Sequence, residues 1–245
     1  MITEEEYEKG LALLKIDYEK NNPKAVNNSS RKIVRITIFS ILLIYVAWIG
    51  AWIIEQTIES HSVLLSTSMS RFFYWLGMKL VLWILSALFI IRISKQENFK
   101  VLDLKRLPSG MIWGVGSGLI IGAITVITKL FTYQAIFSFS LSWSFLGGVI
   151  VAPILEEIFF RGAVLPALKQ QYSFIIANCI TSLLFLGLHL PGWYFQSCLL
   201  QKLTSPVSGA LSVFLLGLVF GYVAHKSKTV TGSILAHMFN NFFNL

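Results

Sequence analysis

The sequence has little charge, few cysteines and no recognisable leader. Only 13% of its 245 residues are charged and 55% are hydrophobic, whereas soluble domains have about 25% charged residues. Because a soluble surface needs that charge, we predict an integral membrane protein. Cys179 and Cys198 lack metal-type spacing, which argues against a disulfide framework. The acidic start, MITEEEYEKG, predicts no secretory signal peptide.

Seven apolar runs are long enough for transmembrane helices, which need about 20 residues each. They lie near 34–54, 72–91, 111–131, 144–168, 173–190, 206–224 and 229–245. The predicted fold is therefore all-α, a polytopic transmembrane helix bundle of about seven spans, with six or eight as alternatives. A short amphipathic N-terminal helix is predicted over about 3–20, where Thr3 and Glu6 form a capping box.

Lysine and arginine are distributed unevenly between alternate connections. Fifteen lie in the N-terminal segment and in the connections after the second, fourth and sixth runs, and three lie on the opposite side. Because cytoplasmic loops are enriched in these residues, we predict a multi-pass cell-membrane protein with a cytoplasmic N-terminus. Topology then accounts for most of the net charge of +8, and we expect no nucleic-acid partner.

The charged stretch 92–110 is the candidate internal boundary. It separates N-terminal transmembrane helices (33–105) from a C-terminal domain (110–245), and a cytoplasmic segment (1–32) precedes both. Small residues at i,i+4 spacing let helix backbones approach closely in lipid. Such spacing predicts tight packing at two sets of glycines: Gly114, Gly118 and Gly122, and Gly217 with Gly221.

Ionisable residues are rare inside the apolar runs, because each costs at least about 2.5–3.5 kcal/mol in a membrane. The fourth run nevertheless contains Glu156, Glu157 and Arg161. Glu157 and Arg161 share a helix face and can pair, whereas Glu156 points about 100° away. Glu156 is therefore a candidate general base, and a structural ion cluster of all three is the alternative. Lys79, in the second run, is interpreted as a long side chain that reaches a polar interior.

His189, in the fifth run, can lie at the depth of Glu156. The short connection 169–172 makes the fourth and fifth runs a hairpin, in which the two residues are fifteen and eighteen positions from Gln171. At 1.5 Å per residue the difference in depth is only about 4–5 Å. The sequence therefore predicts that the carboxylate and the imidazole meet.

His237 and Asn241, in the seventh run, are spaced i,i+4 and share one face. Two directed donors of this kind can hold an oxyanion when a carbonyl is attacked. His237, however, is only about 15 Å from its own cytoplasmic turn at 1.5 Å per residue. It can join Glu156 only if its helix starts deeper, or if the hairpin protrudes into the cytoplasm.

The three groups together resemble the CPBP family, the CAAX proteases and bacteriocin-processing enzymes also called Abi. The matching motifs are Glu156-Glu157-x-x-x-Arg161, then Phe185-x-x-x-His189, then His237-x-x-x-Asn241. The resemblance covers about residues 110–245 and implies an intramembrane endopeptidase. It also implies that Glu156 and His189 activate a water, that His237 and Asn241 stabilise the oxyanion, and that Glu157 and Arg161 support them.

The metal requirement stays open. The family is commonly labelled a metalloprotease, and Glu156, His189 and His237 are acceptable ligands for zinc or another divalent metal. The chain has no HExxH motif, however, and these candidates lie on three different runs. A metal-free glutamate mechanism fits the sequence equally well.

Three functions are compatible with buried polar groups in a bilayer. The leading one is hydrolysis of a peptide or membrane-protein substrate, in peptide processing or in bacteriocin self-immunity. The alternative is a non-proteolytic membrane regulator or immunity protein that binds a partner such as a sensor kinase or a toxin receptor. A transporter would use the same groups as a proton relay, but it usually shows internal repeats, and none is visible here.

Overall fold

The structure is a computed structural model that describes residues 23–94, 103–132, 140–205 and 207–244, with side chains from Asn28 onward. These residues form helices and turns without a strand, which confirms the all-α prediction. The amphipathic helix predicted over 3–20 lies outside the described residues.

Eight helices make up the described part of the chain. In order they are α1 (Pro23–His61), α2 (Ser68–Ile93), α3 (Leu107–Phe131), α4 (143–168), α5 (Phe174–Phe195), α6 (Leu199–Thr204), α7 (Ala210–Ser227) and α8 (Val230–Phe243). Short 3-10 turns, Val63–Leu65 and Leu104–Arg106, lead into α2 and α3.

The predicted count of seven spans is not confirmed. By length and composition, five described helices could cross a membrane: α1, α2, α3, α5 and α7. Helix α8 has 14 residues, so it is about 21 Å long at 1.5 Å per residue, short of a hydrocarbon core of about 30 Å. Helix α4 carries three buried charged residues, Glu156, Glu157 and Arg161, and lies inside the bundle.

Helix α4 is the centre of the hydrophobic core. Phe159, Phe160 and Leu168 are fully buried and pack in a cluster with residues of α1, α2 and α5. Two π-helical turns interrupt α4, at Leu146–Val151 and at Phe160–Val164. A π turn is wider than an α turn and often marks a functional site. The two turns flank the segment that carries Glu156 and Glu157.

The N-terminal helices are joined to the core by a tryptophan cluster. Trp48 and Trp52 of α1 meet Trp75 and Trp83 of α2, with ring centroids 4.4–5.2 Å apart between the two helices. The indole of Trp48 donates a hydrogen bond of 3.0 Å to the carbonyl of Leu188 in α5. Helices α1 and α2 therefore pack directly on the C-terminal helices, although the boundary at 92–110 itself stays a prediction.

Close approach of helices at glycine is confirmed. A β-carbon at Gly114 of α3 would lie 2.6 Å from the carbonyl oxygen of Gly232 in α8, and one at Gly118 would lie 2.7 Å from Phe239. A β-carbon at Gly217 of α7 would lie 3.0 Å from Ser182 in α5. These glycines set the distances between α3 and α8 and between α5 and α7.

We predict that Gly114→Ala destabilises the protein by about 1–3 kcal/mol, the usual cost of overpacking. The added methyl group would meet the backbone of α8, which cannot move aside by rotating about a side-chain bond. Gly116→Ala is the matched control, because nothing lies within 4 Å of the new β-carbon on the same helix. The measurement is the free energy of unfolding in detergent, followed by tryptophan fluorescence. Equal effects of the two substitutions would contradict close packing at Gly114.

Candidate active site

A buried ion pair lies at the centre of α4. Arg161 Nη1 donates a hydrogen bond of 3.0 Å to Glu157 Oε1, and both side chains are 0% exposed. The i,i+4 spacing brings the two groups together on one helix face. The structure therefore confirms the predicted pairing.

Arg161 also connects α4 to two other helices. Its Nη2 donates a hydrogen bond of 2.8 Å to the carbonyl of Gly217 in α7. Its guanidinium carbon lies 4.8 Å from the ring centroid of Phe185 in α5 and 5.7 Å from that of Phe220 in α7. Cation–π contacts of this kind stabilise a charge that is removed from water.

His237 joins the same cluster from α8. Its Nδ1 lies 3.0 Å from Glu157 Oε1, and its ring stacks on Phe220 with centroids 4.6 Å apart. His237 reaches the depth of the glutamates because α8 starts inside the bundle. The first residue of α8, Val230, is fully buried. His237 therefore contacts Glu157 and not Glu156 in the described hydrogen bonds.

Glu156 turns away from this cluster and faces a cavity. It lines a space of about 390 Å³ together with His189, Lys79 and Trp193, and only 8% of the residue is exposed. Adjacent residues diverge by about 100° on a helix, so the two glutamates point to different neighbours. The structure places Glu156 and His189 on the walls of one cavity, and their direct contact stays a prediction.

The ring of His189 is oriented by its own helix. Its Nδ1 lies 2.9 Å from the carbonyl oxygen of Phe185, one turn earlier in α5. A carbonyl can only accept, so Nδ1 carries the hydrogen and the neutral ring leaves Nε2 unprotonated. The geometry therefore makes Nε2 the atom of His189 that can accept a proton or a hydrogen bond in the cavity.

Asn241 makes its hydrogen bonds away from Glu156 and His189. Its Nδ2 donates a hydrogen bond of 2.8 Å to the carbonyl of Gly148 in α4, and its Oδ1 accepts one of 2.9 Å from Asn240. In the part of the chain that the structure describes, no hydrogen bond joins Asn241 to Glu156 or His189. The oxyanion role of His237 and Asn241 stays a prediction.

The arrangement does not fit a metal centre. No group of three or more His, Cys, Asp or Glu side chains within the described ranges is placed to hold an ion. Of the three candidate ligands, His237 directs its Nδ1 to Glu157, and Glu156 Oε1 contacts the ammonium of Lys79. We therefore assign no step to a metal.

Lys79 is the residue that the sequence singled out without placing it in the site. Its Nζ lies 3.3 Å from Glu156 Oε1, across 77 positions of sequence. Charge balance could have indicated this contact. Once Glu157 is paired with Arg161, the fourth run has one unpaired acid, and a buried base needs an acidic partner.

The motif-bearing half of the chain also matches a known family. Residues 137–243 fit the family model described as Rce1-like, the type II CAAX prenyl endopeptidase Rce1-like family. This segment is Rce1-like. The match covers less than half of the 245 residues. Searches of curated proteins and of solved structures gave no significant match.

The Rce1-like segment contains all six predicted site residues and confirms the predicted CPBP resemblance. It spans α4, α5, α6, α7 and α8. Helix α2, which supplies Lys79, lies outside it. The description of that family is of a prenyl endopeptidase, so the similarity supports peptidase activity.

We predict that Arg161→Met destabilises the protein by about 3–5 kcal/mol, because it leaves the buried carboxylate of Glu157 without its partner. Arg71→Met is the matched control. Arg71 pairs with Glu59 at a partly exposed position, and such a pair contributes about 0–1 kcal/mol. Unfolding in detergent compares the two variants. A loss at Arg161 no larger than that at Arg71 would contradict the buried ion pair.

Proposed function

We propose that this protein is an intramembrane endopeptidase in which Glu156 and His189 activate a water. The observation that carries the proposal is that both side chains line one cavity inside an apolar bundle. A carboxylate and an imidazole facing a common space are suitable for general acid–base work on a bound water. The Rce1-like segment, which contains both residues, supports the same reaction class.

In the proposed mechanism the water lies between the carboxylate of Glu156 and Nε2 of His189. Glu156 takes a proton as the water oxygen adds to the carbonyl carbon of the substrate peptide bond. The carbonyl π bond becomes an oxyanion. When the carbon–nitrogen bond breaks, the same proton passes to the leaving amine. The products are a carboxylate and an amine, and the remaining proton is released.

His237 and Asn241 are the proposed donors to the oxyanion. Because Nδ1 of His237 faces Glu157, a donor at Nε2 requires a ring that carries both protons. The Glu157 carboxylate lies against that ring, and Arg161 holds Glu157 in place. Glu157 and Arg161 therefore support the site without facing the substrate. For Asn241, donation requires one of its two N–H groups to turn from Gly148 to the substrate.

We expect Glu156→Gln to lower kcat by about 10²–10⁴-fold, the usual contribution of a general base. The probe is an internally quenched peptide that ends in a prenylated CAAX sequence, presented to the purified protein in detergent micelles. An unprenylated copy of the peptide tests whether the prenyl group is needed. Glu55→Gln is the control, because Glu55 is a buried glutamate of α1 that lines neither the Glu156 cavity nor the neighbouring groove.

Cleavage at the wild-type rate by Glu156→Gln would contradict the proposed catalytic role of Glu156. Retention of a cellular phenotype, such as bacteriocin resistance, by the inactive variant would favour a non-proteolytic regulator that binds a membrane partner. Loss of that phenotype together with peptide cleavage would support processing or self-immunity through hydrolysis.

We expect cleavage to be insensitive to metal chelators. The described residues do not gather a metal-binding set, and the proposed steps use only side chains and water. The measurement is kcat after incubation with 1,10-phenanthroline, compared with its non-chelating 1,7 isomer. Inactivation by the chelating isomer alone, reversed by added zinc, would overturn the metal-free mechanism.

A further inference from the structure

Lys79 lies at the junction of two cavities. It lines the space of about 390 Å³ that contains Glu156 and His189. It also lines a neighbouring groove of about 580 Å³ between α1, α2 and the start of α4, whose walls include Trp75 and Trp143. Trp48 and Trp52 border both spaces as well. A substrate that occupies the groove therefore lies beside the ammonium of Lys79.

Two contacts hold the ammonium in this place. Nζ lies 3.3 Å from Glu156 Oε1 and 4.7 Å from the centroid of the Trp83 ring. The side chains of Lys79 and Glu156 are only 17% and 11% exposed, so the pair is largely shielded from water. Opposite charges attract more strongly in such surroundings than at a wet surface.

The local winding of α2 brings Lys79 and Trp83 to the side of the helix that faces the Glu156 cavity. Lys79 ends the first α-helical part of α2, and the π-helical turn Leu80–Ile84 follows at once. Trp83 lies within that turn and lines the same cavity as Lys79. The wider turn therefore coincides with the place where α2 meets Glu156, as π turns often do at functional sites.

The charges of the site divide into two pairs. Glu157 is paired with Arg161, while Glu156 is paired with Lys79. Breaking one partner of a buried pair leaves an uncompensated charge, which is strongly unfavourable. Glu156 therefore depends on a residue of α2 for its counter-charge, although α2 lies outside the Rce1-like segment 137–243.

We propose that Lys79 is a positioning residue that holds the carboxylate of Glu156 in the cavity and supplies its counter-charge. The catalytic role of Glu156 rests on the proposed function, whereas the ion pair itself does not. On this proposal the site is complete only when α2 packs against α4. The Rce1-like segment alone does not contain the complete site, because Lys79 lies outside it.

The kinetic test compares Lys79→Met with Lys79→Arg on the prenylated quenched peptide. Methionine keeps the apolar stem and removes the charge, whereas arginine keeps the charge. We expect Lys79→Met to lower kcat by at least about 10-fold with KM within about twofold, the pattern of a lost transition-state contribution. Lys79→Arg should restore most of kcat. Lys169→Met, at the exposed end of α4, controls for loss of one positive charge.

The stability test is a double-mutant cycle with Glu156→Gln. If the two residues form an ion pair, each single variant leaves a buried charge, and the Lys79→Met/Glu156→Gln double variant leaves none. The double variant should therefore unfold closer to the wild-type temperature than additivity of the two single changes predicts. This measurement needs no substrate and is valid even if the protein cleaves nothing.

The outcomes separate the two hypotheses. Wild-type cleavage in Glu156→Gln would contradict the proposed function, and the cycle would still decide whether Lys79 pairs with Glu156. Loss of cleavage in Glu156→Gln with normal kcat in Lys79→Met would contradict only the positioning role. Additive unfolding temperatures in the cycle would overturn the ion pair. Equal kcat losses in Lys79→Met and Lys79→Arg would show that charge is not what matters.

Discussion

The ion pair of Glu157 and Arg161 is the interaction around which the C-terminal helices are arranged. A carboxylate and a guanidinium that are both fully buried must satisfy each other and find further polar partners, because water cannot reach them. Arg161 finds a backbone carbonyl in α7, and Glu157 finds the imidazole of His237 in α8. Three helices are thereby tied to one point, and the aromatic rings of Phe185 and Phe220 enclose it.

The two adjacent glutamates have different surroundings because of helix geometry alone. Glu157 faces Arg161 and the His237 ring of α8, whereas Glu156 faces a cavity bordered by α1, α2 and α5. One carboxylate is therefore immobilised in a packed interior, and the other lies beside open space with a lysine as its neighbour. Burial makes the first suitable for structure, and access makes the second suitable for chemistry.

Spacing along single helices predicted the local parts of the site well. The i,i+4 rule identified the Glu157–Arg161 pair, and the short hairpin placed Glu156 and His189 at one depth. The contact of Lys79 with Glu156 joins helices 77 positions apart, and no local period encodes it. The number of spans was also hard to predict, because the buried start of α8 depends on its packing against the glycines of α3.

The π-helical turns of α4 show where a change in chain length would disturb the site and where it would not. The turn Phe160–Val164 of α4 lies beside the glutamates and contains Arg161. Because a π turn holds one residue more than an α turn, removing one residue after Arg161 would let this turn relax to ordinary α winding while the flanking helix keeps its direction. Removing one residue between Glu157 and Arg161, in contrast, would rotate Arg161 by about 100° away from Glu157. The spacing from Glu157 to Arg161 should therefore be fixed in length among related sequences, even where the residues between them vary.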